Sequence, residues 1–177
     1  LLNYVIGSRT RFHENLMSQG LTASGETLAE MTIPASKRVA SALGIELEAK
    51  VFARSWRGFA NDLPISIGWA YHDTGRFPDL PERRRELSSI TKVYHSYGIT
   101  DYRRLRTTVF TRLASESEAS MLMLRAGQSV LVVQKVDADL DGRPIGFSEA
   151  VWAGDRVQFT FETDQPTVLT TERDNDV

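Results

Sequence analysis

The chain has 177 residues, no cysteine, 41% hydrophobic and 25% charged residues, and a formal net charge of −2. That length supports one domain with a real core, and the lack of thiols excludes disulfides, thiolate metal sites and cysteine nucleophiles, which suits a cytoplasmic location. A pI near 6.0 gives no overall positive field, so the chain itself is not expected to bind nucleic acid; no apolar run approaches the roughly 20 residues that span a bilayer.

"LLNYVIGS" has no basic region ahead of its apolar residues and no cleavage site after them, so it does not read as a signal peptide. From Arg9, the apolar residues Phe12, Leu16 and Met17 fall at helical spacing and Gly20 is placed for a left-handed cap, which predicts a short helix with His13 and Glu14 solvated. A polar turn at Thr22 to Gly25 precedes an extended piece carrying Leu28, Met31 and Ile33. Pro34 is expected at the first position of a small helix that turns Val39, Ala42 and Leu43 inward and stops at Gly44. Lys50 to Phe59, the turn "ANDLP" and "ISIGWAYH" make a hairpin with Ile65, Ile67, Trp69 and Tyr71 on one face.

"FPDLPERRRELSSITKVYHSYG" has helical spacing and ends at Gly98, with Arg83 to Arg85 as a solvated face. Leu105, Thr107, Val109 and Thr111 then alternate as a strand. "SESE" at Ser115 to Glu118 is a capping box, so Met121, Leu122 and Leu124 belong to a buried helix face that Gly127 ends. "SVLVVQKVDAD", a turn at "LDGRP" and "IGFSEAVW" form a second hairpin, and Val157, Phe159 and Phe161 alternate in a last half-exposed strand. From Thr163 the chain turns polar and acidic and is expected to fray. The sum is an α+β pattern: five or six strands in hairpins around an antiparallel sheet, with three or four short helices.

No phosphate loop, dinucleotide fingerprint, nucleophile elbow or metal-binding H-E-x-x-H helix is present, so no catalytic residue, metal or cofactor is expected. His13, His72 and His95 lie far apart without a second ligand at metal spacing. Glu116 with Glu118 and Asp137 with Asp139 suit solvated capping and turn positions, and Met121 and Met123 suit core filling. Arg54 stands inside a strand, so it points either to solvent or into a polar pocket. Ser88 or Ser89 immediately precedes a helix and serves either as a plain cap or beside amides that receive an anion.

"PASKRVASALGI", "ANDLPISIGWAYH" running into "FPDL", "SSITKVYHSYGI", "TRLASESEASMLMLRAGQSVLVVQKV" and above all "DADLDGRPIGFSEAVWAGDRVQF" follow one another in the order of a known family. Together they resemble the UTRA domain, the effector-binding half of HutC-subfamily regulators of the GntR type, over nearly the whole chain. "RTRFHENLMSQG" followed by "PASKRVASALG" is similar to members that control phosphonate-utilisation operons. The resemblance implies a chorismate-lyase-like fold of about six antiparallel strands with flanking helices, spanning residues 9–163. It also implies that residues 1–8 are linker from a preceding winged helix-turn-helix domain, and composition leaves 164–177 as the frayed tail.

The partners it implies are a small anionic effector, a second copy of the chain, and operator DNA read through the preceding domain; no membrane is implied. Members that sense amino-sugar phosphates anchor the phosphate with two arginines that fall on Trp56 and Gly58 here, so that pair is missing. Arg54, two residues earlier on the same strand face, is the substitute. Ser89 is kept, and Thr22 and Ser24 match a polar loop that supplies further donors. A glutamate and a tyrosine that hold the sugar are replaced by Gly146 and Trp152, which argues against an amino sugar. The expected ligand-binding set is therefore Thr22, Ser24, Arg54, Ser89, Gly146 and Trp152, with a phosphonate or phosphate as the effector. A sugar phosphate, amino acid or carboxylate in the same pocket is the alternative, and a small lyase on the same fold is the rival of another class.

Overall fold

The computed structural model describes residues 1–6 and 12–162. The expected tail and the start of the first expected helix lie outside them. Six long strands alternate as their side-chain pattern requires: β2 (Ala23–Pro34), β3 (Lys50–Ala60), β4 (Leu63–Asp73), β5 (Tyr102–Leu113), β6 (Ser129–Asp139) and β7 (Pro144–Ala153). They pair antiparallel in the order β2-β3-β4-β7-β6-β5, which is the sheet the sequence pattern predicts. The β3–β4 turn puts Asn61 and Asp62 at φ 46° and 67°, a two-residue connection that these side chains tolerate better than most.

One face of the sheet is covered by two short helices, α2 (Lys37–Leu43) and α5 (Glu116–Leu122). Val39 and Leu43 of α2 pack on Val51, Ala53, Tyr71 and Phe147, and Leu122 of α5 packs on Ile67, Val130, Val132 and Val151. The capping box forms: Ser115 Oγ accepts from Glu118 N at 3.2 Å while Ser115 N donates to Glu118 Oε2 at 2.9 Å. Arg112 also grips Glu118 through two bonds and, with the capping amide, holds its carboxyl down to about 2. Ser115→Ala is expected to cost about 1 kcal/mol, seen as a melting temperature lower by roughly 2–4 °C. No change would mean that Arg112 alone fixes the helix start.

The other face carries α1 (Phe12–Met17) and the pair α3 (Leu80–Leu87) and α4 (Ile90–Ser96). Beside α1 lies a small parallel pair, β1 (Leu2–Ile6) and β8 (Val157–Phe161). Residues 2–6, expected as linker, therefore form a strand that runs alongside the last strand of the domain. Asn15 ties it to α1, with Asn15 Oδ1 accepting from Val5 N at 2.9 Å.

Several local expectations are corrected. Ala23 to Gly25 belong to β2 rather than to a turn, because Asn61 clamps Thr22 by two bonds and pairing begins at once: Thr22 N donates to Asn61 Oδ1, and Asn61 N donates to Thr22 O. Pro34 closes β2, and Ser36 caps α2. Ile65 is the extra residue at a register shift in β4, so it packs with Val133, Ala150 and Trp152 on the face opposite Ile67. Leu105 is likewise the extra residue of a shift in β5 and is exposed, as is Met17 of α1. The segment read as one helix before Gly98 is two, broken where Ser88 takes φ 56°. Met123, at φ 52°, ends α5 before Gly127 does.

Candidate functional site

Residues paired directly across strands point to the same face, so the register lays the inner surface out in rows about 7 Å apart. One row reads Glu30, Arg54, Ala70, Ser148, Lys135 and Thr107. The next reads Thr27, Trp56, Gly68, Ala150, Val133 and Val109, and the one beyond it Gly25, Gly58, Ser66, Trp152 and Leu131. On the other side of the Arg54 row lie Phe52 with His72, and Gly146 with Asp137 and Arg104. This floor, roofed by α3 and α4 at one end and by Tyr4 and Phe12 at the other, bounds a cavity of about 1020 Å³.

The α3 end is cationic. Arg54 Nη2 donates to Thr27 Oγ1 at 2.7 Å, and Glu30 lies 3.8 Å from Arg54 Nε and 3.4 Å from Arg85 Nη2. Arg84, half-buried, lines the cavity with Nη1 shut off from solvent and without a hydrogen-bond partner. Burial and the neighbouring Arg54 push its pKa below the ordinary arginine range. Arg83, by contrast, is spent on Asp79 and the Ser96 carbonyl and stacks on Tyr97. The run expected as a solvated face is thus divided between structural and cavity roles.

His72 and Tyr94 form a buried pair, Nε2 to Oη 2.7 Å. Burial, and secondly Arg84, hold the imidazole down to about 4, while burial pushes the Tyr94 phenol well up. A Cβ at Gly146 would sit 2.8 Å from Tyr94 Oη and 3.1 Å from His72 Nε2, so the pair and a side chain at 146 exclude each other. Lys135 is brought down to about 8 by burial and Arg104, with Asp137 opposing. Its ammonium stands 5.0 Å from the Tyr4 ring centroid. Asp137 is itself engaged by Arg104 Nε at 2.5 Å.

The far end is aromatic. Tyr4 and Phe12 contact Trp152 at centroid distances of 5.0 and 5.8 Å, and Phe159 meets it edge-on at 5.4 Å. Trp152 is 3% exposed, and its Nε1 is buried without a partner. Among the described residues no three histidines or carboxylates gather as a metal site. What this arrangement offers is charge recognition at one end and stacking at the other.

Of the expected ligand-binding residues, Ser24, Arg54, Gly146 and Trp152 border the cavity. Thr22 does not: it is exposed and held at the β3–β4 turn by Asn61. Ser89 is the N-cap of α4 without a side-chain cap bond, and its neighbour Ser88 borders the cavity in its place. Arg84, Lys135 and the His72–Tyr94 pair were missed. Arg84 follows buried Leu80 by four residues, and Lys135 keeps the phase of Val133 in a buried strand; both spacings were there to be used.

A family model described as the UTRA domain matches residues 18–158. An HTH-type transcriptional regulator of Rhizobium meliloti is 35% identical over 162 residues, 92% of this chain and 66% of its own length. The probable transcriptional regulator PhnF of Escherichia coli is 27% identical over 162 residues, 90% of this chain and 66% of its own. The chain thus spans just under two thirds of the length of these relatives. The crystal structure of PhnF from Mycobacterium smegmatis shares the fold, with a TM-score of 0.81 over 93% of this chain and 72% of that one at 22% identity. No helix among the described residues is long and apolar enough to cross a membrane. With the matched segment running from just after α1 into β8 and holding the cationic end of the cavity, the chain belongs to the UTRA domain family.

Proposed function

We propose that this chain is the effector-sensing domain of a GntR/HutC-type, PhnF-like transcription regulator, working as a cytoplasmic homodimer and taking a small anion that carries phosphonate or phosphate. The observation that carries the anionic effector is Arg84, a guanidinium lining the cavity with a buried N–H unpaired, close enough to Arg54 to feel its charge. Arg54 and Arg85 share one carboxylate, Glu30, and Arg84 Nη1 has no partner, so a bound anion completes the charge balance. In a full-length regulator the effector would favour one arrangement of the dimer, and it can shift operator binding by a DNA-reading domain only as far as its affinities for the two arrangements differ.

Thermal-shift titration with phosphate, phosphonates, phosphorylated sugars, amino acids and dicarboxylates tests this, because a ligand that binds only the folded state raises the melting temperature. Phosphorus anions are expected to give the selective shift. Arg84→Met should weaken them by at least about 30-fold, or about 2 kcal/mol, and Arg54→Ala by about tenfold, with folding retained in both. Stabilisation by carboxylates or neutral ligands alone would keep a sensing domain and discard the phosphorus effector.

A further inference from the structure

The cavity is far larger than a phosphate group needs. Its volume of about 1020 Å³ lies at the upper end of pockets that enclose whole organic ligands, yet its three arginines crowd one end. Along the floor, polarity changes by row. The Arg54 row is polar; one step away come Trp56, Gly68, Ala150 and Val133, and a second step away Ser66 and Trp152 under Tyr4 and Phe12. No cavity arginine stands on those two rows.

Two features show what this second compartment suits. A Cβ at Gly68 would fall 2.5 Å from Trp56 Cζ2 and 2.7 Å from its Cη2, so the six-membered ring lies across Gly68 and the indole paves the floor. Trp152, almost fully buried, keeps its N–H unpaired at the same end. A buried indole donor without an acceptor is uncommon in a folded protein, and a ligand atom that accepts from it would remove the deficit. Lys135, on the Arg54 row beside Tyr4, lies at the border between the two compartments.

On the reading that this cavity is the effector site, we infer that its ligand has two parts. An anionic head sits under Arg84 beside Arg54, and it is joined to a planar aromatic or heteroaromatic group whose hydrogen-bond acceptor faces Trp152 Nε1. The row spacing puts the Trp56 row about 7 Å from the anion, within reach of a ring attached to the head directly or through a short linker. A simple phosphate or a short alkyl phosphonate leaves the aromatic compartment unused.

Calorimetry with four probes tests this: methylphosphonate, hexylphosphonate, phenylphosphonate and 4-nitrophenylphosphonate. Phenylphosphonate is expected to bind at least about tenfold tighter than methylphosphonate, and the nitro compound tighter again because it adds an acceptor. Trp152→Phe should erase the nitro advantage, and an unchanged far-UV circular dichroism spectrum shows that the variant folds. Trp56→Leu, at a half-buried ring, is the second variant and should lower the phenyl advantage. Equal binding of methyl- and phenylphosphonate, or of hexyl- and phenylphosphonate, would overturn the inference. Binding of 4-nitrobenzyl alcohol separates the two readings. If no phosphonate binds but this neutral ring does, and Trp152→Phe weakens it, the anionic effector is wrong and the aromatic compartment stands. If neither class binds, both are overturned.

Discussion

Between pH 6.5 and pH 4 the domain is expected to lose about 3 kcal/mol of stability through His72 alone. The folded protein holds this imidazole down to about 4, against 6.5 for an unperturbed histidine. Between those values the unfolded chain binds a proton that the folded chain refuses, so the unfolded state gains as the pH falls. The contribution is therefore fully present above pH 6.5 and is lost on the way down to 4; the gap between 6.5 and about 4, at about 1.4 kcal/mol for each step of one in pH, sets its size. The groups facing the ring account for the resistance. The ring is buried, Tyr94 offers it a hydroxyl rather than a carboxylate, Phe77 packs edge-on against it, Gly146 brings no side chain to it, and Arg84 repels the protonated form.

Urea unfolding at pH 7, 5.5 and 4.5 reads this loss directly. His72→Gln keeps a polar partner for Tyr94 and removes the titration, so its stability should stay level down to the carboxylate range. A second loss then follows in both proteins as Glu118, held down to about 2, and Asp79 and Asp139, held below their ordinary range, take up protons. If the variant kept the wild-type slope between pH 6.5 and 4, another group would have to set it. An anion bound at Arg84 works against the second cause of the shift, so a saturating effector should make the first loss smaller.

The strands were legible because period-two hydrophobicity survives in long segments, as in β6, where Val130, Val132 and Val136 are all buried. The capping box at Ser115 was legible because its two bonds are local. Register shifts were not. Ile65 follows the alternation of Ile67 and Tyr71 on paper, and only pairing with β3 reveals the extra residue that turns it to the other face. The cavity was half legible for the same reason. Arg54 drew notice as a charge inside a strand, and Gly146 and Trp152 through the family pattern. Arg84 did not, because it sits in a run of three arginines whose separate fates depend on what packs over α3: Asp79 and Tyr97 take Arg83, Glu30 takes Arg85, and the cavity takes Arg84. The role of residues 2–6 was equally hidden, since a five-residue strand with a parallel partner about 155 residues away leaves no local signal.

Gly68→Val is expected to destabilise the domain by about 3 kcal/mol, and Gly68→Ala by about 2, although alanine in an ordinary strand position would stabilise it slightly. The reversal comes from space. Gly68 lies in central strand β4, opposite Trp56 on one side and Ala150 on the other, with the Trp56 ring drawn over it. A Cβ would meet that ring at 2.5 Å and the Glu149 carbonyl at 2.6 Å, and the carbonyl belongs to the backbone of β7, which cannot rotate away. Trp56, which paves the cavity floor, thus depends on a glycine in the next strand. Urea midpoints measure the cost, and a shift in tryptophan emission reports the displaced indole. Trp56→Leu combined with Gly68→Ala separates the two contacts: relief of the ring clash should recover most of the loss, leaving the part due to the Glu149 carbonyl. A neutral or stabilising Gly68→Ala would show that β4 and β7 can part without cost, and the floor of the cavity would then be softer than the packing of Trp56 on Gly68 implies.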